Sequence, residues 1–76
     1  MKTLNEIIDE IYNQRIDFIR NNKAINVLKA GGSIYTLILS FNSQYNEYDG
    51  KHQKHKFMGI PLEFDSTLSK NEIKLS

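Results

Sequence analysis

The chain contains no cysteine, which removes both disulfide staples and thiolate zinc sites from consideration. No apolar run approaches the ~20 residues that a membrane-crossing helix needs, and the N-terminus lacks the basic start and continuous apolar stretch of a signal peptide. An excess of one charge is missing as well. Ten basic against nine acidic residues leave a formal net charge of +1, too balanced for a domain whose affinity rests on phosphate contacts. Catalytic signatures are equally scarce: there is no Gly-x-Ser-x-Gly elbow, no P-loop lysine and no dinucleotide fingerprint. These absences predict a soluble, intracellular protein that is not an enzyme and uses no cofactor or metal.

What is present is one short chain of 76 residues, near the lower size limit for an independently stable domain. Its stability must come from one apolar core, or from surface covered by another copy or a partner. Ten isoleucines and four phenylalanines supply the core, and four tyrosines can line its edges. No internal repeat or low-complexity linker divides the chain, so a single domain over residues 1–76 is expected.

Thr3-Leu4-Asn5-Glu6 has the spacing of a capping box, in which Thr3 and Glu6 each satisfy the other's backbone amide. Behind it, Leu4, Ile7, Ile8, Ile11, Arg15, Phe18 and Ile19 recur at helical steps. Acidic residues lie early and Arg20 and Lys23 late, which suits the helix dipole. The spacing predicts a helix over residues 4–21, ending at Asn21-Asn22, since Asn tolerates the left-handed conformation of a C-cap. The acidic residues Glu6, Asp9, Glu10 and Asp17 read as a solvated helix face. Ala24 to Ala30, with Ile25 and Val27 before Gly31-Gly32, reads as a strand ending in a tight turn.

Residues 33–48 admit two readings. As a helix capped by Ser33, they place Ile34, Leu37, Ile38, Phe41, Tyr45 and Tyr48 on one stripe. As a strand, Tyr35, Leu37, Leu39, Phe41 and Tyr45 alternate with polar residues, and residues 33–58 become a long hairpin turned at Asp49-Gly50. The helix is preferred because its stripe stays in register for four turns. Residues 46–55 then form a polar surface loop, and Lys56 to Phe64 one strand. Gly59 marks a bulge or a close backbone approach in that strand, and Pro61 places the strand at a sheet edge or bulges it there. Asp65-Ser66-Thr67 is a turn, and Glu72 to Leu75 a last strand. The predicted fold class is α+β, in the order α-β-α-β-β, with a small antiparallel sheet beneath two helices.

Three surface features invite a functional reading. The Gly31-Gly32-Ser33 turn into a helix has the form of an anion site, though its structural role as a turn is the simpler account. The basic run Lys51-His52-Gln53-Lys54-His55-Lys56 can touch phosphates, with Tyr45 and Tyr48 stacking on bases. His52 and His55 lie three apart, but the three lysines around them oppose a bound cation. Lastly, Tyr35, Leu39, Tyr45 and Tyr48 exceed what a small core needs, and tyrosine favours interfaces. The candidate partner-binding residues are therefore Tyr35, Leu39, Tyr45, Tyr48, Lys51, His52, Lys54 and His55.

The stretch Phe57-Met58-Gly59-Ile60-Pro61-Leu62-Glu63-Phe64-Asp65, then a polar loop and Glu72-Ile73-Lys74-Leu75, follows a strand, a glycine turn and a helix. In that order it resembles small proteins of tailed bacteriophages, and the strand-helix-hairpin of the central domain of HK97-type major capsid proteins. The matching positions are Gly59 to Leu62, Leu68 and Ile73 to Leu75, within residues 24–76. The N-terminal arm, long backbone helix and extended loop of capsid subunits have no counterpart, so a shell-forming subunit is not expected. The resemblance implies phage origin, a related sheet, and a place in the host cytoplasm or the virion. The expected function is protein–protein binding without catalysis. It would serve either inhibition of a host defence factor or assembly as a virion-associated component, homo-oligomers included. The alternative is a small nucleic-acid regulator working through residues 51–56.

Overall fold

The capping box at the start of the chain forms as its spacing requires. In the computed structural model, which describes residues 2–76, the Thr3 hydroxyl accepts from the Glu6 amide at 3.2 Å and Glu6 Oε1 accepts from the Thr3 amide at 3.1 Å. The helix that follows, α1, spans Leu4–Arg20. It closes in a Schellman motif. Asn22 takes the left-handed conformation at φ 54, its amide reaches the Ile19 carbonyl at 3.2 Å, and the Lys23 amide reaches Phe18 at 2.9 Å.

Strand β1 (Leu28–Ala30) leads into helix α2 (Gly32–Phe41), and four strands follow: β2 (Asn46–Asp49), β3 (Lys54–Phe57), β4 (Ile60–Phe64) and β5 (Ile73–Leu75). The fold is α+β, with the five strands in the order β2-β3-β4-β1-β5. The sheet is mixed where an antiparallel one was expected. β1 runs parallel to β4, pairing Leu28 with Leu62, and antiparallel to β5, pairing Leu28 with Leu75. The parallel pairing follows from the crossover: α2 and the β2–β3 hairpin carry the chain over before β4 returns beside β1.

Alternation along the strands gives the sheet one apolar face. Leu28, Ala30, Phe57, Ile60, Leu62, Ile73 and Leu75 are buried there, against Ile7 and Ile11 of α1 and Ile34 and Ile38 of α2. The opposite face carries Lys29, Lys54, Lys56 and Lys74 interspersed with Glu47, Asp49 and Glu63.

Several boundaries differ from the sequence reading. α2 ends at Phe41 because Asn42 turns left-handed at φ 46 and ψ 46. The Asn46 side chain then donates to the Ile38 carbonyl at 3.0 Å, so Tyr45 and Tyr48 leave the helix. Residues 46–55 are not a loop; they make most of a hairpin in which Glu47 faces Lys56 and Asp49 faces Lys54. Lys56 to Phe64 is two strands. Met58 and Gly59, at φ 55 and 76, form a two-residue hairpin turn with both central residues left-handed, closed by the Phe57–Ile60 pair. Gly59 is thus a turn residue and not a bulge.

Pro61 lies on a central strand, between β3 and β1, where an edge or a bulge was expected. It is tolerated because it stands one residue past the closing pair of the hairpin, opposite Lys56. There its nitrogen points away from β3, and pairing with β1 begins only at Leu62. No ladder bond is forfeited.

The N-cap of α2 is Gly31, not Ser33. A Cβ at Gly31 would lie 1.8 Å from the Ser69 carbonyl oxygen, so only glycine permits this approach. The Ile34 amide at the helix start donates to the Lys70 carbonyl at 2.9 Å. The segment after β4 therefore covers the helix N-terminus that the Gly-Gly-Ser turn had suggested as an anion site.

Candidate functional site

The two edges of the sheet are treated differently. At the β5 edge, α1 lays Gln14 alongside the strand. Its Nε2 donates to the Ile73 carbonyl at 2.8 Å and its Oε1 accepts from the Leu75 amide at 2.8 Å. One side-chain amide thus substitutes for a neighbouring strand and closes that edge. Gln14 was readable in principle, as the polar residue that helical spacing places among Ile7, Ile11 and Phe18.

At the other edge stands β2, whose Glu47, Tyr48 and Asp49 are exposed. The Met58 amide donates to the Tyr45 carbonyl at 2.9 Å, which sets the phase of the ladder. Glu47 and Asp49 then turn their backbone groups toward β3, and Tyr48 turns its amide and carbonyl outward. Beside them, on the helix-side face, the hairpin and the C-terminal end of α2 enclose an open cleft of about 190 Å³. It is lined by Leu39, Asn42, Asn46, Glu47, Tyr48 and His55.

The floor of the cleft is braced by Asn46. Its Oδ1 accepts from the Ser43 hydroxyl at 2.6 Å while its Nδ2 holds the Ile38 carbonyl, fixing the hairpin to the end of α2. Tyr48 and His55 sit opposite each other on β2 and β3 with ring centroids 4.7 Å apart. The loop beyond them is shaped by Asp49, whose Oδ1 accepts from the Lys51 amide at 3.0 Å and whose Oδ2 meets His52 Nδ1 at 2.6 Å. The His52 contact, with the amides of His52 and Lys51 behind it, holds the Asp49 carboxyl below its ordinary range.

The structure divides the residues singled out from sequence. Leu39, Tyr48 and His55 meet in the cleft. Tyr35 turns to Phe64, edge-on at 6.1 Å, and Tyr45 packs on Phe57 at 6.2 Å. Lys51 and His52 occupy the hairpin loop, and Lys54 lies on the charged face across from Asp49. His52 and His55 have separate partners, Asp49 and Tyr48. Among the described residues, no three His, Asp or Glu side chains converge as metal ligands, and no helix is long and apolar enough to cross a membrane.

Leu39, a half-exposed aromatic pair and a strand edge unpaired among the described residues together can receive an extended peptide. Comparison with known proteins yields no matching family model, no matching curated protein and no matching solved structure.

Proposed function

We propose that this chain is a protein-binding module that captures an extended segment of its partner along β2. The carrying observation is the asymmetry of the edges: Gln14 closes β5, whereas Tyr48 presents its backbone groups at an unshielded edge beside the Leu39–Tyr48–His55 cleft. Strand addition supplies affinity through main-chain bonds and selectivity through alternate side chains. A segment added at β2 would place every second side chain over the cleft and the intervening ones beside Glu47 and Asp49. That chemistry favours alternating apolar and basic residues in the partner.

The phage-like order of residues 24–76 directs the search for that partner to host cytoplasmic factors, as in inhibition of a defence component, or to other virion-associated proteins. Nucleic acid is the weaker reading, because Glu47 and Asp49 stand directly opposite Lys56 and Lys54 and offset the basic run. The test is capture of partners from host lysate by the folded wild-type chain and by Tyr48→Pro, which removes the outward amide at a position where no ladder bond is lost. Tyr48→Pro should release the partner, while Lys74→Ala, remote on β5, should retain it. Equal capture by wild type and Tyr48→Pro would refute the reading.

A further inference from the structure

Helix α1 buries one face against the sheet and leaves a second apolar stripe uncovered. Tyr12, Ile16 and Ile19 are 51%, 46% and 67% exposed, and the partly buried Ile8 continues their line. At ~100° per residue, these four fall within a sector of about 80° that runs ~16 Å along the helix. Scattered apolar residues on a surface need no explanation, but an aligned stripe on a helix does. The chain's small interior gives a further reason for covering it.

The margin of the stripe says what covers it. Asp9 and Arg20, both exposed, lie within about 20° of each other on the same flank. If a second α1 packs in parallel about a two-fold axis, this flank of one helix meets the opposite flank of the other, so Asp9 and Arg20 fall on opposite sides of the seam and do not pair. If it packs antiparallel about a two-fold axis, the same flank of each helix is brought together end for end. Ile8 then meets Ile19 of the second copy, Tyr12 meets Ile16, and Asp9 meets Arg20, each contact occurring twice.

We propose that α1 forms an antiparallel homodimer interface through Ile8, Tyr12, Ile16 and Ile19, with its orientation set by Asp9 and Arg20. This surface lies on a different element from β2, so the dimer keeps both β2 edges free. The occupant is a second copy of this chain, on which Asp9 and Arg20 each meet an opposite charge; an anionic membrane would match Arg20 and leave Asp9 opposed.

Sedimentation equilibrium of the full chain over a wide concentration range tests the proposal. The wild type should show a monomer–dimer equilibrium. Ile16→Glu should weaken it at least ~100-fold, since an apolar side chain is lost from both halves of the interface. Asp9→Arg and Arg20→Asp alone should each weaken it, and the two combined in one chain should restore it. That rescue is not expected if the stripe is merely sticky. Circular dichroism confirms that each variant folds, and Tyr48→Pro should dimerise as the wild type does. A wild type that stays monomeric at every concentration, an Ile16→Glu variant that associates unchanged, or no rescue in the double variant overturns the proposal. So does a monomeric wild type that co-sediments with phosphatidylcholine–phosphatidylglycerol vesicles through Ile16.

Discussion

Gln14 shows how one side chain decides what a whole sheet edge can do. It occupies a position on the buried side of α1 that Ile7, Ile11 and Phe18 would fill with apolar neighbours, yet both ends of its amide are matched to β5. Replacement by Leu keeps the bulk but leaves the Leu75 amide and Ile73 carbonyl without partners. The expected cost is about 1–3 kcal/mol, because an orphaned backbone group near the interior costs more than its hydrogen bond contributes. Urea denaturation measures that loss, and faster exchange of the Leu75 amide would place it at the β5 edge. Stability and Leu75 exchange matching those of the wild type would show that the amide pairing contributes nothing. At this same scale the sequence was informative where chemistry is local. Thr3 and Glu6 announce their reciprocal cap, and Asn21-Asn22 the left-handed end of α1. Gln14 spoke only through its misfit with the stripe around it.

At the level of elements, the connection between β3 and β4 escaped detection because its turn begins with Met58. A two-residue turn with both central residues left-handed favours Asn-Gly or Asp-Gly, and Met-Gly gives no such signal. Met58 is held at φ 55 while its side chain packs against the core, so burial offsets the local backbone cost. Gly59 has no such compensation, for a Cβ there would meet nothing within 4 Å. Gly59→Ala should therefore destabilise by about 1–2 kcal/mol through backbone strain alone, read as a lowered midpoint in denaturant. An unchanged midpoint would mean that the turn relaxes into another type. The β2–β3 hairpin entered the sequence reading only within the alternative of a long hairpin over residues 33–58 turned at Asp49-Gly50, and the preferred reading made it a loop. Phe57 is its one buried apolar residue and most of the rest are polar, so what marks them as strands is the pairing of Glu47 with Lys56 and Asp49 with Lys54, which no alternation of apolar residues reports. Tyr48 and His55 became a candidate site only when that pairing placed them opposite each other beside Leu39. Tyr35 and Tyr45, equally prominent in the sequence, went to Phe64 and Phe57 instead.

For the molecule as a whole, the balance of charge conceals a directional response to acid. Three carboxyl groups titrate below their ordinary values in the folded chain. Glu6 is lowered chiefly by the Thr3 amide, Asp49 chiefly by its bond to His52, and Asp65 chiefly by the Thr67 hydroxyl. A lowered folded pKa means that the folded state prefers the ionised group, so protonation favours unfolding. Stability from these groups is present in full above the unfolded values near 4.5 for Glu and 3.8 for Asp. It declines as pH falls through the lower folded values. All three lie at the surface, Asp65 partly covered, so salt and solvent keep each contribution modest, but they share one sign and lie at three separate points: the start of α1, the β2–β3 loop and the turn after β4. The melting midpoint should consequently hold steady from pH 7 to about 5 and then drop below pH 4. Thr67→Val should flatten most of the part of that drop due to Asp65, because it removes the hydroxyl that chiefly lowers it, while Thr3→Val should flatten only a smaller share of the part due to Glu6, because it removes the hydroxyl and keeps the amide that chiefly lowers it. A midpoint that rises on acidification, or a profile that both substitutions leave unaltered, would show that these turn carboxylates are not what couples the fold to protons.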